Sequence, residues 1–385
     1  MERTRRTKIV ATIGPAFDQD NMLEKIFDAG ADIFRANFSH GSYETHAKNI
    51  QKIRELSKKN HREVTIFADL QGPKIRIARF KKNKVSLSSG DEFILDVDFP
   101  SDEGTEKIVG LDYKELPNDL SPHDVLLLDD GQIVLLVKEI VDSKIICTVE
   151  TGGELSNNKG INRQGGGLSA KALTEKDKKD IEFAATLEVA YFAISFPRDA
   201  RDGEHAKDLI RKTGSNAGVI AKIERAEAIE PKTLDEIIQI SDAIMVARGD
   251  LGVEIGDEKL PAIQKYMIHR AQELNTPVIT ATQMMESMIH NKIPTRAEVF
   301  DVANAVLDST DAVMLSAETA TGDYPDLVVK TMGRICHGAE ENIQSYIFQH
   351  QANFQIETIS ESIALSIDTF IVRKFSTCFN GANDF

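Results

Sequence analysis

Short β-branched apolar runs alternate with longer amphipathic stretches along most of this chain. Runs of four to eight apolar residues closed by Gly, Asn or Asp are strand patterns. Apolar positions recurring three and four apart are helical ones. Read in order, eight candidate strands emerge, at 8–13, 33–37, 64–69, 189–195, 219–222, 243–247, 278–282 and 312–316. Helical patterns fall at 21–29, 43–58, 174–187, 228–240, 260–274, 296–307 and 325–338. Strand and helix in alternation give a parallel sheet covered by helices. Eight such units predict an α/β fold of the TIM (β/α)8 type.

One stretch breaks the alternation. From about Gln71 to Leu168 the helical patterns vanish, and strand-like pieces at 74–80, 92–97, 132–137 and 144–149 are separated by Gly, Pro, Asn and Asp. The expectation is a barrel made of residues 1–70 and 169–345, with 71–168 inserted as a small β-barrel lid. An insertion at the C-terminal face of a barrel suits a mobile cover over an active site. The stretch 346–385 is different. A helix at 358–374, with Ile363, Leu365, Ile367 and Phe370 on one face, is expected, followed by no strand series. So few residues do not form a core unaided.

Charge narrows the partners. A net charge of -15 argues against nucleic acid, whose backbone needs a basic face. Anionic small molecules stay open, since a local cluster of cations and metal can oppose the global field. No apolar run is long enough for a bilayer, so no membrane is expected. The apolar run at 8–10 meets Gly14-Pro15 too soon to serve as a signal-peptide core, and the expected location is the cytoplasm. The cysteines Cys147, Cys336 and Cys378 are odd in number, lack metal-type spacing, and read as reduced thiols.

In a barrel of this kind the chemistry sits where strands end. The second strand runs into Arg35-Ala36-Asn37-Phe38-Ser39-His40-Gly41, and the third into Asp69-Leu70-Gln71-Gly72-Pro73-Lys74-Ile75-Arg76. Later strands give Lys222-Ile223-Glu224, Arg248-Gly249-Asp250, Thr280-Ala281-Thr282-Gln283 and Ser316-Ala317-Glu318-Thr319. The cations Arg35, Lys74, Arg76 and Lys222 and the carboxylates Asp69, Glu224 and Asp250 would ring one cavity. Charges are seldom buried unless paired or liganded. A mixed ring suits a polyanionic substrate held through a hard divalent ion.

These segments resemble the pyruvate kinase family. The likeness is carried by Lys8-Ile9-Val10-Ala11-Thr12-Ile13-Gly14-Pro15-Ala16, Arg35 to Gly41, Ala221-Lys222-Ile223-Glu224, Val246-Ala247-Arg248-Gly249-Asp250-Leu251-Gly252, Ala281-Thr282-Gln283-Met284-Met285-Glu286-Ser287-Met288 and Leu315-Ser316-Ala317-Glu318-Thr319. All occur in the family's order, and the run from Asn158 to Ser169 is most similar to the bacterial type II branch. The resemblance implies phosphoryl transfer between phosphoenolpyruvate and ADP, giving pyruvate and ATP, in a homotetramer. It implies that Lys222 stabilises the moving phosphoryl group. Glu224 and Asp250 would bind Mg²⁺ or Mn²⁺. The backbone of Gly249 and Asp250, with the Thr282 hydroxyl, would hold the substrate carboxylate. Arg35 would contact phosphate. Asn37, Phe38, Ser39, His40, Arg76 and Lys159 would contact the nucleotide, with Arg76 and Lys159 at the two ends of the lid. Thr282, or a water beside it, is the candidate proton donor.

Two departures matter. Many members bind K⁺ at positions matching Asn37, Ser39 and Asp69 and carry Glu where this chain has Lys74. Here an ammonium is expected to replace K⁺, and Leu70 removes an oxygen ligand; Asp69 is expected to pair with Lys74 or Arg76. Past about Ile367 the likeness fades, which predicts a shortened remnant of the family's C-terminal domain at 346–385. It puts effector binding and tetramer assembly in question and leaves a second reading, an inactive or poorly folded relic. Each residue also has a plainer role. Arg35 alone reads as a salt-bridge residue, Lys222 as structural, Glu224 and Asp250 as helix N-terminal acids, Thr282 as an ordinary N-cap. His40 and Lys159 read as loop residues, and Gly165-Gly166-Gly167 as a hinge. Their joint placement on one face of one fold favours the functional roles. Barrels that use Mg²⁺ and phosphoenolpyruvate for C–C or C–P chemistry are the rival enzymes.

Overall fold

Eight short parallel strands close on one another in the order β1-β16-β15-β14-β13-β12-β3-β2. These are β1 (Lys8–Thr12), β2 (Ile33–Asn37), β3 (Thr65–Asp69), β12 (Tyr191–Ile194), β13 (Gly218–Ile223), β14 (Ala243–Ala247), β15 (Val278–Ala281) and β16 (Ala312–Leu315). The structure, a computed structural model, describes residues 5–19 and 21–350, with side chains described as far as 341. The chain divides into two units, Met1–Glu340 and Glu341–Phe385, and the barrel lies in the first. The helix expected at 358–374 and the rest of 351–385 lie outside the described residues.

The apolar runs are continuous because both faces of each strand are buried. Every residue of β14, β15 and β16 is buried. Inside, Val10, Phe67, Ala193, Ile220, Met245, Ile279 and Met314 form one cluster. Outside, Ile223, Ile244 and Val246 pack on Ile237, Ile238, Met267 and Ile268 of the helix layer.

The helices are α1 (Met22–Asp28), α2 (Tyr43–Lys59), α3 (Leu116–Asp119), α4 (Glu175–Thr186), α5 (Ala200–Lys212), α6 (Pro231–Ile240), α7 (Arg248–Ile255), α8 (Leu260–Glu273), α9 (Arg296–Leu307), α10 (Ala317–Ala320) and α11 (Pro325–His350). Capping boxes start α4 (Thr174 with Asp177) and α9 (Thr295 with Glu298). Two major helices, α5 and α7, were not expected. Helix α5 buries only Gly203, Ala206 and Ile210, too few apolar residues for a clear periodicity. Helix α7 opens on Arg248-Gly249-Asp250 and carries a second glycine, so it reads as a polar loop.

Between β3 and α4 the chain builds a second core. A six-stranded sheet runs β11-β7-β8-β9-β5-β6, beside a ribbon of β10 and β4. Its strands are β4 (Lys84–Leu87), β5 (Glu92–Asp96), β6 (Ile108–Gly110), β7 (Val125–Leu128), β8 (Ile133–Val141), β9 (Lys144–Thr151), β10 (Gly153–Ser156) and β11 (Ile161–Arg163). Phe93, Leu95, Leu126, Leu135, Val137 and Ile145 fill it. The segment 74–80, expected as a strand, makes only isolated bridges. Its amides go to different segments: Ile77 to the Lys159 carbonyl, Ala78 to Gly110, Arg79 to Ser101. It threads between strands instead of pairing with one.

The barrel grips this insertion at both ends. At the entry, Gly72 takes φ +65° and its N–H donates to Asp177 Oδ1 at 3.1 Å. A Cβ there would lie 2.6 Å from the Ser195 Cβ. At the return, Gly165, Gly166 and Gly167 all have positive φ. The Gly165 N–H donates to the Glu254 carbonyl (2.9 Å), the Gly167 N–H to Glu227 Oε2 (3.2 Å), and Arg225 Nη1 to the Leu168 carbonyl (2.7 Å). Glu254 Oε2 accepts from the Ala226 N–H. Burial, with the nearby Glu227 charge, pushes the Glu254 carboxyl up to about 7.

Two outcomes follow from these grips. Gly72→Ala forces both a left-handed φ and a clash, and should cost about 1–3 kcal/mol in denaturant unfolding. Gly90→Ala, also at positive φ but with nothing within 4 Å, should cost less. For Glu254 the folded carboxyl binds its proton more tightly than the unfolded one. Its contribution to stability is therefore favourable at low pH and is lost as pH rises from 4.5 through about 7. Melting profiles against pH should show Glu254→Gln gaining on the parent across that window, by up to about 3 kcal/mol. A constant offset at every pH would contradict this.

Candidate active site

Four charged side chains meet at the strand ends of β2, β3 and β13. Asp69, at the last position of β3, is 1% exposed and accepts from Arg35 Nε at 2.6 Å. Its other oxygen faces Lys222 Nζ at 3.3 Å, an ion-pair contact without hydrogen-bond geometry. Lys222 Nζ also lies 2.9 Å from Glu224 Oε1 and donates to Ser195 Oγ at 2.7 Å. Arg35 Nη1 donates to Thr12 Oγ1. Residues two apart on one strand point the same way, which is why Lys222 and Glu224 share this rim.

The cluster balances its charges in pairs. Burial opposes ionisation of Asp69, but Lys222 and Arg35 outweigh it and hold its carboxyl below the usual carboxylate range. Burial likewise opposes the Lys222 charge, but Asp69 and Glu224 raise its pKa, so the side chain stays an ammonium at any physiological pH. Glu224 goes the other way. Burial dominates, Lys222 offsets only part of it, and the Asp250 charge adds repulsion, so its pKa is raised.

Asp69 pairs with neither Lys74 nor Arg76, the partners expected from the sequence. Lys74 lies past the Gly72-Pro73 turn, and its Nζ reaches Asp250 Oδ1 at 3.1 Å. Arg76 bonds the Asn158 carbonyl through Nη1. Asp69 is instead taken by Arg35 from neighbouring β2 and by Lys222 across the mouth. The Lys74 charge is thus delivered to Asp250 and not to the Asn37–Ser39–Asp69 group. Within that group Asn37 Oδ1 accepts from the Ser39 N–H, and the Phe38 N–H donates to the Asp69 carbonyl.

Helix α7 points its first turn into the same region. Its own N-cap supplies no side-chain bond; the Gly249 N–H donates to Thr282 Oγ1 at 2.9 Å. Thr282 therefore caps α7 from another strand and is not an ordinary N-cap of a helix of its own. It does so at φ +68°, with Gln283 at +52°, a costly conformation for a β-branched residue. Arg248 holds it there: Nη2 donates to the Thr282 carbonyl at 2.6 Å and Nη1 to Asp301 Oδ1 at 2.8 Å. A cavity of about 440 Å³ lies alongside, lined by Lys74, Leu127 and Asp130 of the insertion and Gly249, Asp250 and Gln283 of the barrel.

Arg76 and Lys159, assigned to opposite ends of the lid, come together. Arg76 bridges Gly160, and Lys159 Nζ pairs with Asp129 Oδ1 at 2.7 Å within the insertion. Three residues of the site were not singled out in the sequence. Ser195 ends a strand like the others, and that position was the available cue. Arg248 lies in the Val246–Gly252 motif, where the sequence alone gives it no role. Glu318, buried, accepts from the Met285 and Ser316 N–H groups and ties two strand-end loops together.

Glu224 and Asp250 are a fit for a hard divalent cation. Their carboxylates repel each other, and Glu224 is held in a poorly solvated place where a cation would favour its charged form. Among the described residues no group of three or more His, Cys, Asp or Glu forms a complete protein cage. Remaining ligands would come from substrate and water, as is usual for Mg²⁺.

Comparison with known proteins agrees with this geometry. Residues 4–329 match the family model described as pyruvate kinase, barrel domain. The chain is 56% identical over 365 residues to pyruvate kinase II of Salmonella typhimurium, covering 94% of this chain and 76% of that protein. It is 55% identical over 365 residues to pyruvate kinase of Haemophilus influenzae, with the same coverage, and 47% over 336 residues to that of Corynebacterium efficiens, covering 87% and 70%. With the barrel, the strand-end charges and these matches in hand, the chain belongs to the pyruvate kinase family.

Proposed function

We propose that phosphoryl transfer between phosphoenolpyruvate and ADP, the reaction of this family, takes place at the rim that carries Lys222 and Glu224, with the Asp250 charge acting on Glu224. The observation that carries the assignment is the Lys222 ammonium, buried 2.9 Å from Glu224 and locked by Ser195 and Asp69. A phosphoryl group in flight spreads negative charge over its oxygens, and catalysis is mostly positioning and opposing charge. Lys222, kept in its ammonium form by Asp69 and Glu224, supplies that charge. Arg35 adds a second cation beside it for the phosphate.

The substrate carboxylate is assigned to the first turn of α7. Backbone N–H groups at a helix start carry partial positive charge. The Gly249 N–H here donates to the Thr282 hydroxyl at 2.9 Å, and both groups would turn to the carboxylate when it binds. Glu224 and Asp250 would hold Mg²⁺, which would neutralise the phosphate and enolate oxygens. The family generally needs a divalent metal. Lys74 would then give up or share Asp250. The ADP phosphates are assigned to the Asn37–His40 loop, with Arg76 and Lys159 brought in by the insertion. A proton from Thr282, or from water beside it, would complete pyruvate.

The K⁺ requirement is proposed to be absent. Asp69 already has two cationic partners, Leu70 is buried and offers no ligand side chain, and Lys74 adds a fixed charge at Asp250. No described helix is long and apolar enough to cross a membrane. A cytoplasmic location is proposed, in keeping with the free, buried thiols of Cys147 and Cys336. Self-association is proposed from the exposure of the large apolar side chains Ile293 (77%) and Phe300 (69%).

In a coupled assay of ADP-dependent pyruvate formation, Lys222→Met should lower kcat by about 10³-fold or more, ~4 kcal/mol of transition-state stabilisation. Retention of most of the rate would remove Lys222 from the mechanism. Rates in K⁺-free buffer should stay within about twofold of those with K⁺ added, and Lys74→Glu should create K⁺ dependence. A many-fold stimulation of the parent by K⁺ would overturn that assignment.

A further inference from the structure

The loop that follows β2 is held from behind by two helices. The Phe38 carbonyl accepts from Lys176 Nζ of α4 at 2.7 Å. The His40 carbonyl lies 2.9 Å from His46 Nε2 of α2, which must donate to it. Lys176 is itself fixed by Asp180 Oδ2 at 2.6 Å, one helical turn away and fully buried. The second oxygen of Asp180 accepts from the Tyr43 hydroxyl at 2.8 Å, so the carboxylate is used on both sides. Rings close the arrangement: Phe38 stacks on His46 at 4.4 Å and Tyr43 on Phe183 at 4.1 Å. The other imidazole nitrogen of His46, Nδ1, is buried without a hydrogen-bond partner, so the ring's only polar commitment is to the loop.

Geometry gives this network a consequence. No peptide bond here is cis, and in a planar trans peptide the carbonyl and the next N–H point in opposite directions. Pinning the carbonyls of Phe38 and His40 therefore sets where the Ser39 and Gly41 N–H groups point. For Ser39 the result is visible, since its N–H meets Asn37 Oδ1 at 3.1 Å. The anchor is also rigid. The first turn of α4 is locked by the Thr174–Asp177 capping box, and Asp177 holds the Gly72 N–H at the entry of the insertion.

We propose that Lys176 and Asp180, with Tyr43 and His46 behind them, are positioning residues for nucleotide binding: they hold the 37–41 loop in the shape that takes the diphosphate of a nucleoside diphosphate. They do not touch the transferred group. The inference rests on the assignment of that loop to the nucleotide. The ion pair joins a half-exposed Lys176 to the buried Asp180, and its value here is direction, because a lysine freed from Asp180 can leave the Phe38 carbonyl.

The test compares steady-state KM values for ADP and for phosphoenolpyruvate in the full chain, with thermal midpoints recorded for each variant. Lys176→Met and Asp180→Asn should each raise KM for ADP by about tenfold while KM for phosphoenolpyruvate and kcat move less than about threefold. Lys176→Arg, which can still donate to the carbonyl, should restore most of the loss. Tyr43→Phe, the mildest change, should show the same selectivity at smaller size and guards against variants that fail to fold. His40→Ala reports on the underlying assignment. If it raises KM for ADP while the Lys176 and Asp180 variants leave that constant alone, or shift both KM values equally, the network is merely structural and the proposal falls. If His40→Ala itself leaves KM for ADP unchanged, the nucleotide assignment of the loop fails, and this inference fails with it.

Discussion

Everything at the mouth of this barrel depends on the buried carboxylate of Asp69. Two cations, Arg35 and Lys222, would otherwise face each other in a place with little water. Asp69 stands between them, and Glu224 completes a balanced set of two positive and two negative charges. Breaking such a set by removing one member typically costs about 3–5 kcal/mol. The arrangement also leaves an asymmetry that chemistry can use. Asp69 and Lys222 are stabilised in their charged forms, whereas Glu224 is not fully compensated. Glu224, buried and repelled by the Asp250 charge, is therefore the member of the set whose charged form a further cation would favour.

Around that centre the fold supplies rigid edges. Helix α7 is capped from β15 by Thr282, whose strained backbone is held by the Arg248 fork. Helix α4 holds the entry of the insertion through Asp177, and Glu227, Glu254 and Arg225 hold its return. The two anchored ends flank a separately packed core.

Much of this was legible in the sequence, for physical reasons. Strands buried on both faces leave unbroken apolar runs, so β14, β15 and β16 stood out, and the polar residue just after each run marked the rim. The eight-unit count, the insertion and the convergence of Lys222 with Glu224 came from the same alternation. What was hidden depended on contacts between distant residues. Nothing local says that Asp69 takes Arg35 and Lys222 and leaves Lys74 to Asp250. Nothing local says that the Thr282 hydroxyl caps a helix more than thirty residues earlier. Helix α7 itself was masked by its glycines, and the 74–80 segment looked like a strand because its residues are strand-like, although its partners change at every step.

The claim that Glu224 and Asp250 form the cation side of a phosphoryl-transfer centre can be tested by crystallography with Mn²⁺ and oxalate. Anomalous scattering at the manganese edge should give a peak bridging the two carboxylates. The Lys222 ammonium should lie within hydrogen-bond reach of the bound ligand, and the Lys74 side chain should be displaced from Asp250. A manganese peak away from both carboxylates, or a Lys222 side chain turned from the ligand, would contradict the account.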